Sequence, residues 1–177
     1  LVLNSGSSSI KFQVFEIDDD HHVCLAKGIV QRIGEAKATF TYKVNEHESC
    51  RINGSAQSTE IETSIPNHEV AIKVICDALL HGEHPLMENA ADLRGIGHRV
   101  VHGGEELYKS VRIDADVLAG IDRCSRLAPL HNPSAIMAIN ACTTIFGDLP
   151  QIAVFDTAFH HTIPKHTYLY PLPTNLY

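Results

Sequence analysis

The sequence predicts a mixed α/β domain, with an antiparallel β-hairpin at its start and parallel strands later. Three observations carry that prediction. The first third alternates apolar and polar residues with the period of two that a half-buried strand needs. The middle repeats apolar residues at helical spacing. Short apolar runs then separate the helical stretches, and alternation of that kind builds parallel sheets.

Leu1 to Asn4 reads as a short first strand, followed by a Ser/Gly turn. From Ile10 to Ile17 a second strand puts Ile10, Phe12 and Val14 on one face and Lys11, Gln13 and Phe15 on the other. Asp18-Asp19-Asp20 marks a turn. Val23 to Ile33 is the third strand. Phe40, Tyr42 and Val44 alternate with Thr39, Thr41 and Lys43 in a half-exposed fourth. Asn53-Gly54 suggests a tight hairpin turn, and we read the sequon Asn53-Gly54-Ser55 as that turn only.

Three helices are expected next. The first spans about Asn67 to Leu80, with a stripe of Val70, Val74, Ala78 and Ala71, Ile75, Leu79. The second begins at Asp114 and carries Val117, Leu118 and Ile121. The third is capped by Asn132, has Pro133 in its first turn and stops at Gly147. It is apolar nearly all round, which predicts burial on several sides. Core strands are expected at Gly95 to His102 and at Gln151 to Asp156.

Composition narrows the function classes. The net charge of -7 over 177 residues argues against nucleic acid as a partner, because phosphate backbones need a basic surface. The 5 cysteines are widely spaced, with no CxxC pair, and read as reduced thiols. No apolar run approaches the length of a membrane helix, and the N-terminus lacks the pattern of a signal peptide. Neither GxxxxGK[ST] nor GxGxxG after a strand is present, so a P-loop or Rossmann domain is excluded. The chain starts mid-strand at Leu1 and stops at Tyr177 just after Pro171 and Pro173, so both ends read as cut.

Four motifs carry chemistry. In Leu3-Asn4-Ser5-Gly6-Ser7-Ser8-Ser9-Ile10-Lys11, hydroxyls and backbone N–H groups can surround an anion. Lys11 can set a charge near a phosphate, and Asn4 can offer a neutral oxygen to a metal-bound water. The same residues also make an ordinary hairpin turn, and composition leaves the two readings even. In Gly97-His98-Arg99-Val100-Val101-His102-Gly103-Gly104, strand alternation puts Arg99 and Val101 on one face. A guanidinium beside a branched apolar side chain suits a small carboxylate with an alkyl tail. An ion pair between Arg99 and an acidic residue is the other reading. Ala128-Pro129-Leu130-His131-Asn132-Pro133 is a loop ending at a helix cap, where His131 either faces a phosphoryl oxygen or simply lies on the surface. Asp156 ends an apolar strand, as a metal ligand or as a turn cap.

These stretches resemble the acetokinase family, which includes acetate and propionate kinases. Leu1–Lys11, Gly95–Gly104, Ala128–Pro133 and Val154–His160 come in family order with family-like spacing, and Tyr168–Tyr177 is similar too. Asp18 to Leu93 carries little of the likeness, and His161 stands where the family has glutamine. The resemblance implies a ribonuclease-H-like fold of the acetate kinase, sugar kinase, heat-shock chaperone and actin superfamily. It implies that residues 1–177 are an N-terminal domain. A second domain, absent from this chain, would supply the adenosine pocket and most of a homodimer contact.

The implied reaction is ATP-dependent phosphorylation of acetate to acetyl phosphate, and its reverse, with Mg²⁺ (or Mn²⁺) in a cytoplasmic enzyme. Asn4 would bind the metal, and Lys11 with Ser7 and Ser9 would meet the nucleotide phosphates. Arg99 would hold the substrate carboxylate, and Val101 and Leu130 would line the alkyl pocket. His131 would assist transfer, and Asp156 would be the catalytic acid residue. Propionate or butyrate is the alternative substrate. A non-catalytic phosphate-binding domain is the alternative class. No membrane or nucleic-acid partner is expected.

Overall fold

The structure, a computed structural model, describes residues 1–45 and 57–176. The Asn53-Gly54 turn, its sequon and Cys50 lie outside the described residues. The first part is a meander of β1 (Val2–Ser5), β2 (Ser9–Ile17), β3 (His22–Gln31), β4 (Ala38–Val44) and β5 (Gln57–Thr63). Then come α1 (His68–His81), β6 (Ile96–Val100), β7 (Val111–Arg112), α2 (Ala115–Arg123), α3 (Asn132–Phe146), β8 (Gln151–Phe155) and α4 (Lys165–Tyr168). All strands join one sheet in the order β5-β4-β3-β2-β1-β6-β8-β7. Strands β1, β6 and β8 are parallel to one another, and the remaining pairings are antiparallel.

Local chemistry sets the boundaries. The Asp18 carboxylate accepts from the N–H groups of Asp20 and His21, which closes the turn after β2. Arg32, at φ 58°, and Gly34, at φ 90°, bend the chain out of β3 through the left-handed region. The Asn67 side chain caps α1 by accepting from Val70 N–H at 2.9 Å, and Asp114 caps α2 the same way from Val117 N–H at 2.9 Å. At Gly147, with φ 61°, α3 ends.

One expectation about α3 changes. The cap is His131, not Asn132: Asn132 is the first helical residue and is 0% exposed. Its amide is spent on tertiary bonds. Oδ1 accepts from His102 N–H at 3.2 Å, while Nδ2 donates to the carbonyls of His102 at 2.9 Å and Ile121 at 3.2 Å. As expected, the helix is buried on several sides, against α1, α2 and the sheet, and it leaves Met137 exposed. The two-residue β7 and four-residue α4 are too short to leave a periodic signal.

Helices α1, α2 and α3 cover one face of the sheet. Leu3, Ile10, Phe12 and Ile96 pack with Ala71, Ile72, Ala141 and Cys142 of α1 and α3. Val100, Ala153 and Phe155 pack with Val117, Ile121, Ala135 and Ile139 of α2 and α3. Burial keeps the thiols of Cys76 and Cys142 protonated, with pKa values pushed up to about 12. No helix among the described residues is long and apolar enough to cross a membrane.

On the covered face, His98 bonds the Gln151 Oε1 at 2.7 Å, and Gln151 Nε2 donates to Thr143 Oγ1 at 2.8 Å. That relay ties β6 to β8 and α3. An amide oxygen only accepts, so the ring carries its proton on Nε2. Burial lowers the His98 pKa from 6.5 to about 4. The folded state therefore resists a proton that the unfolded chain takes up near pH 6.5. Stability should be flat above that pH and fall as pH drops from about 6.5 to 4, by roughly 3 kcal/mol in all. Urea unfolding at a series of pH values checks this. His98→Gln should flatten the slope, and an unchanged slope would locate the acid sensitivity elsewhere.

Candidate active site

The second face of the sheet lacks helical cover among the described residues, and four of the motif residues meet there. In β1 and β2, Asn4 pairs with Lys11. In the parallel pair β1–β6, Val2 faces Gly97 and Leu3 faces His98, so the register brings Asn4 beside Arg99. Arg99 pairs in turn with Val154 of β8, and Asp156 follows two residues on. Strand alternation gives these residues one face. The row Lys11, Asn4, Arg99, Asp156 thus crosses four strands. Its last three members sit at the carboxyl ends of parallel strands, where open α/β sheets place ligands.

Its centre is an ion pair. Arg99 Nε donates to both Asp156 oxygens, at 2.9 and 3.1 Å, and Nη2 donates to Oδ2 at 2.6 Å. Nη1 reaches Asn4 Oδ1 at 3.4 Å. Its hydrogen bonds to the Asp156 carboxylate raise the Arg99 pKa further above its usual value. Both side chains are well exposed, at 50% and 39%, so water screens the pair and it contributes about 1 kcal/mol or less. A contact of that strength yields readily to a ligand.

The open face also carries a groove of about 480 Å³ lined by Val2, Asn4, Lys11, Phe12, Gln13, Lys27, Gly28 and Ile29. It holds two members of the row and stops short of Arg99 and Asp156. Lys11 makes no ion pair or hydrogen bond with the other described residues. Beside it, the Ser7 side chain is exposed and Ser9 is half-buried.

The remaining motif residues lie apart from this row. Strand β6 ends at Val100, so the alternation meant to carry Val101 to the Arg99 face stops one residue short, and Val101 sits half-buried in the bend. Leu130 is 73% exposed. His131 is exposed and makes no side-chain capping bond. No hydrogen bond links either of them to Arg99 or Asp156 among the described residues.

Three contacts around the β6 end escaped sequence reasoning. The Asn132 amide clamps His102, Thr157 Oγ1 accepts from Gly103 N–H at 3.1 Å, and His161 stacks on Tyr108 with centroids 4.0 Å apart. Together they fasten the loop after β6 to the segment after β8 and to the first residue of α3. A side chain at position 103 would run into the Leu107 carbonyl, so only glycine fits there. No periodic signal in the sequence marks these residues, and a cap or surface position accounted for them equally well.

Asn4 and Asp156 offer an amide oxygen and a carboxylate around one cation, which is at present the guanidinium. Hard oxygen donors of this kind suit Mg²⁺, which takes one or two carboxylates and fills its other positions with water and phosphate oxygens. No group of three or more His, Cys, Asp and Glu side chains that could hold a metal occurs among the described residues.

The fold and its strand-end site define an α/β domain of the ribonuclease-H-like kind found in small-substrate kinases, heat-shock chaperones and actin. Within that class, the sequence pattern of the acetokinase family matches residues 1–177, and the chain belongs to this family. It is 44% identical over 177 residues to the acetate kinase of Clostridium kluyveri and 45% identical to that of Clostridium acetobutylicum, covering 100% of this chain and 41% of each relative. Porphyromonas gingivalis acetate kinase superposes with a TM-score of 0.87 at 32% identity, over 99% of this chain and 41% of that one. A propionate kinase from Francisella tularensis gives 0.80 at 37% identity, over the same shares. The chain spans about two-fifths of the length of these relatives.

Proposed function

We propose that this chain is the N-terminal, carboxylate-binding domain of a kinase that transfers the γ-phosphoryl group of ATP to acetate, reversibly. One observation carries the reading. The Arg99 fork, set at the end of a parallel strand beside Asn4 and Lys11, already grips a carboxylate through Nε and Nη2. A substrate carboxylate would take the same seat with the same bidentate geometry.

A carboxylic acid has a pKa near 4.3, so acetate is ionised at pH 7 and needs no base. Its oxygen bonds to the γ-phosphorus as the bond from that phosphorus to the bridging oxygen breaks, leaving ADP. Such a transfer needs positioning and charge neutralisation more than covalent help. Arg99 orients the nucleophile, and Lys11 with the Ser7 and Ser9 hydroxyls receives the phosphates. Val101 and Leu130 are assigned to the alkyl end and His131 to a phosphoryl oxygen. Each of these three requires a rearrangement or a facing domain to reach the row. Mg²⁺ (or Mn²⁺), held by Asn4 and Asp156, would supply charge neutralisation at the phosphates. Asp156 would help hold that ion, or would order water and neighbouring donors.

The adenosine pocket and a homodimer contact belong to the further three-fifths of the family's length. The enzyme acts in the cytoplasm, with no nucleic-acid or membrane partner. Propionate is the second reading, favoured by the 0.80 match to a propionate kinase.

The test is phosphotransfer by the full-length protein and by residues 1–177 alone, with acetate and with propionate. The full-length protein should form the acyl phosphate, and the 177-residue chain should give no turnover. Robust turnover by the short chain would overturn the division of labour. Inactivity of a folded full-length protein on both acids would favour a non-catalytic phosphate-binding domain.

A further inference from the structure

We infer that His68 is a positioning residue for the phosphate loop, acting through one peptide plane; this rests on the reading of residues 4–11 as that loop. His68 opens α1, is 5% exposed, and places Nε2 at 2.7 Å from the Gly6 carbonyl oxygen. A carbonyl only accepts, so Nε2 carries the proton and donates. The start of α1 is itself fixed by the Asn67 cap. The donor therefore comes from a rigid base.

The consequence follows from peptide planarity. Described peptide bonds are all trans, so the Gly6 carbonyl and the Ser7 N–H lie in one plane and point in opposite directions. Pinning the carbonyl inward on His68 turns the Ser7 N–H outward. Two more carbonyls of the loop are consumed in the same way. Ser8 O accepts from Ile33 N–H at 3.0 Å, and Ser9 O from Gly6 N–H at 2.7 Å. The N–H groups of Ser7 and Ser8 have no hydrogen-bond partner among the described residues. Acceptors turned in and donors turned out make a surface that receives an anion. Without the His68 bond the Gly6–Ser7 plane is free to rotate, and a rotated plane would aim an oxygen at a phosphate.

The experiment uses the full-length protein with ATP and acetate varied separately. His68→Ala should raise the KM for ATP about tenfold, as expected for one lost charge-assisted hydrogen bond, and leave the KM for acetate within about twofold. Gln places a side-chain N–H as far from Cα as Nε2 of His, and Asn does not. His68→Gln should therefore hold the ATP KM within about threefold of the parent, and His68→Asn should match His68→Ala. A purely structural histidine would lower the melting temperature without that split. An unchanged ATP KM in folded His68→Ala, or equal behaviour of the Gln and Asn variants, overturns the inference. If His68→Ala does not fold, the Gln and Asn pair decides it. Lys11→Ala separates the two levels. If Lys11→Ala raises the ATP KM and the His68 variants do not, only this inference fails. If neither moves it, the loop does not bind phosphate.

Discussion

Arg99→Ala in the full-length protein is expected to raise the KM for acetate by one to two orders of magnitude and to leave the KM for ATP within about twofold. The size follows from the geometry. Arg99 donates three hydrogen bonds to a single carboxylate in this structure, from Nε and Nη2. Charged hydrogen bonds contribute about 1.5–3 kcal/mol, and each 1.4 kcal/mol is tenfold in affinity. Alanine also removes the only cation in contact with Asp156 among the described residues, which leaves that carboxylate to repel an incoming acid. Both effects weaken acetate binding. Arg99→Lys should recover little, because an ammonium is a point charge without the planar fork. Steady-state kinetics with acetate and ATP varied separately check this, and an unchanged acetate KM removes Arg99 from the substrate role.

That prediction rests on a pairing the sequence held in two halves. The strand patterns made the architecture legible. Ile10, Phe12 and Val14 alternate in the sequence and lie together in the core. Helix starts were legible where a capping side chain and a stripe coincide, as at Asn67 and Asp114. At Asn132 the cap signal misled, because an asparagine before a proline has the same composition whether its amide caps a helix or clamps a loop 30 residues away. Arg99 was given two readings, substrate carboxylate and ion pair with an acid. The structure has it paired with Asp156, 57 residues on, and local periodicity says nothing about that partner. Tertiary bonds from single polar residues, such as His68 to Gly6 across 62 positions, carry no period at all. Val101 was put on the Arg99 face by extending alternation past Val100, where the strand stops.

Asp156→Asn separates the two tasks the site sets for this carboxylate. In the full-length protein, turnover should fall on the order of 10²-fold, the scale of losing one charged group at a phosphoryl-transfer site. The Mg²⁺ concentration for half-maximal rate should rise as well, since a carboxylate becomes a neutral amide. Acetate binding should move the other way. In the resting structure Asp156 fills the Arg99 fork and competes with any other carboxylate for it. The pair is exposed and contributes about 1 kcal/mol or less, so releasing it should tighten acetate binding in the absence of nucleotide by up to about fivefold. Calorimetry or NMR titration of acetate reads that number without turnover. A variant with slower turnover and tighter acetate is hard to reach if Asp156 only supports the fold, because a loosened site weakens both. If Mg²⁺ dependence is unchanged and the loss varies only with pH, Asp156 is an acid–base group instead. If acetate binding weakens in step with turnover, the carboxylate organises Arg99 and does not compete for it.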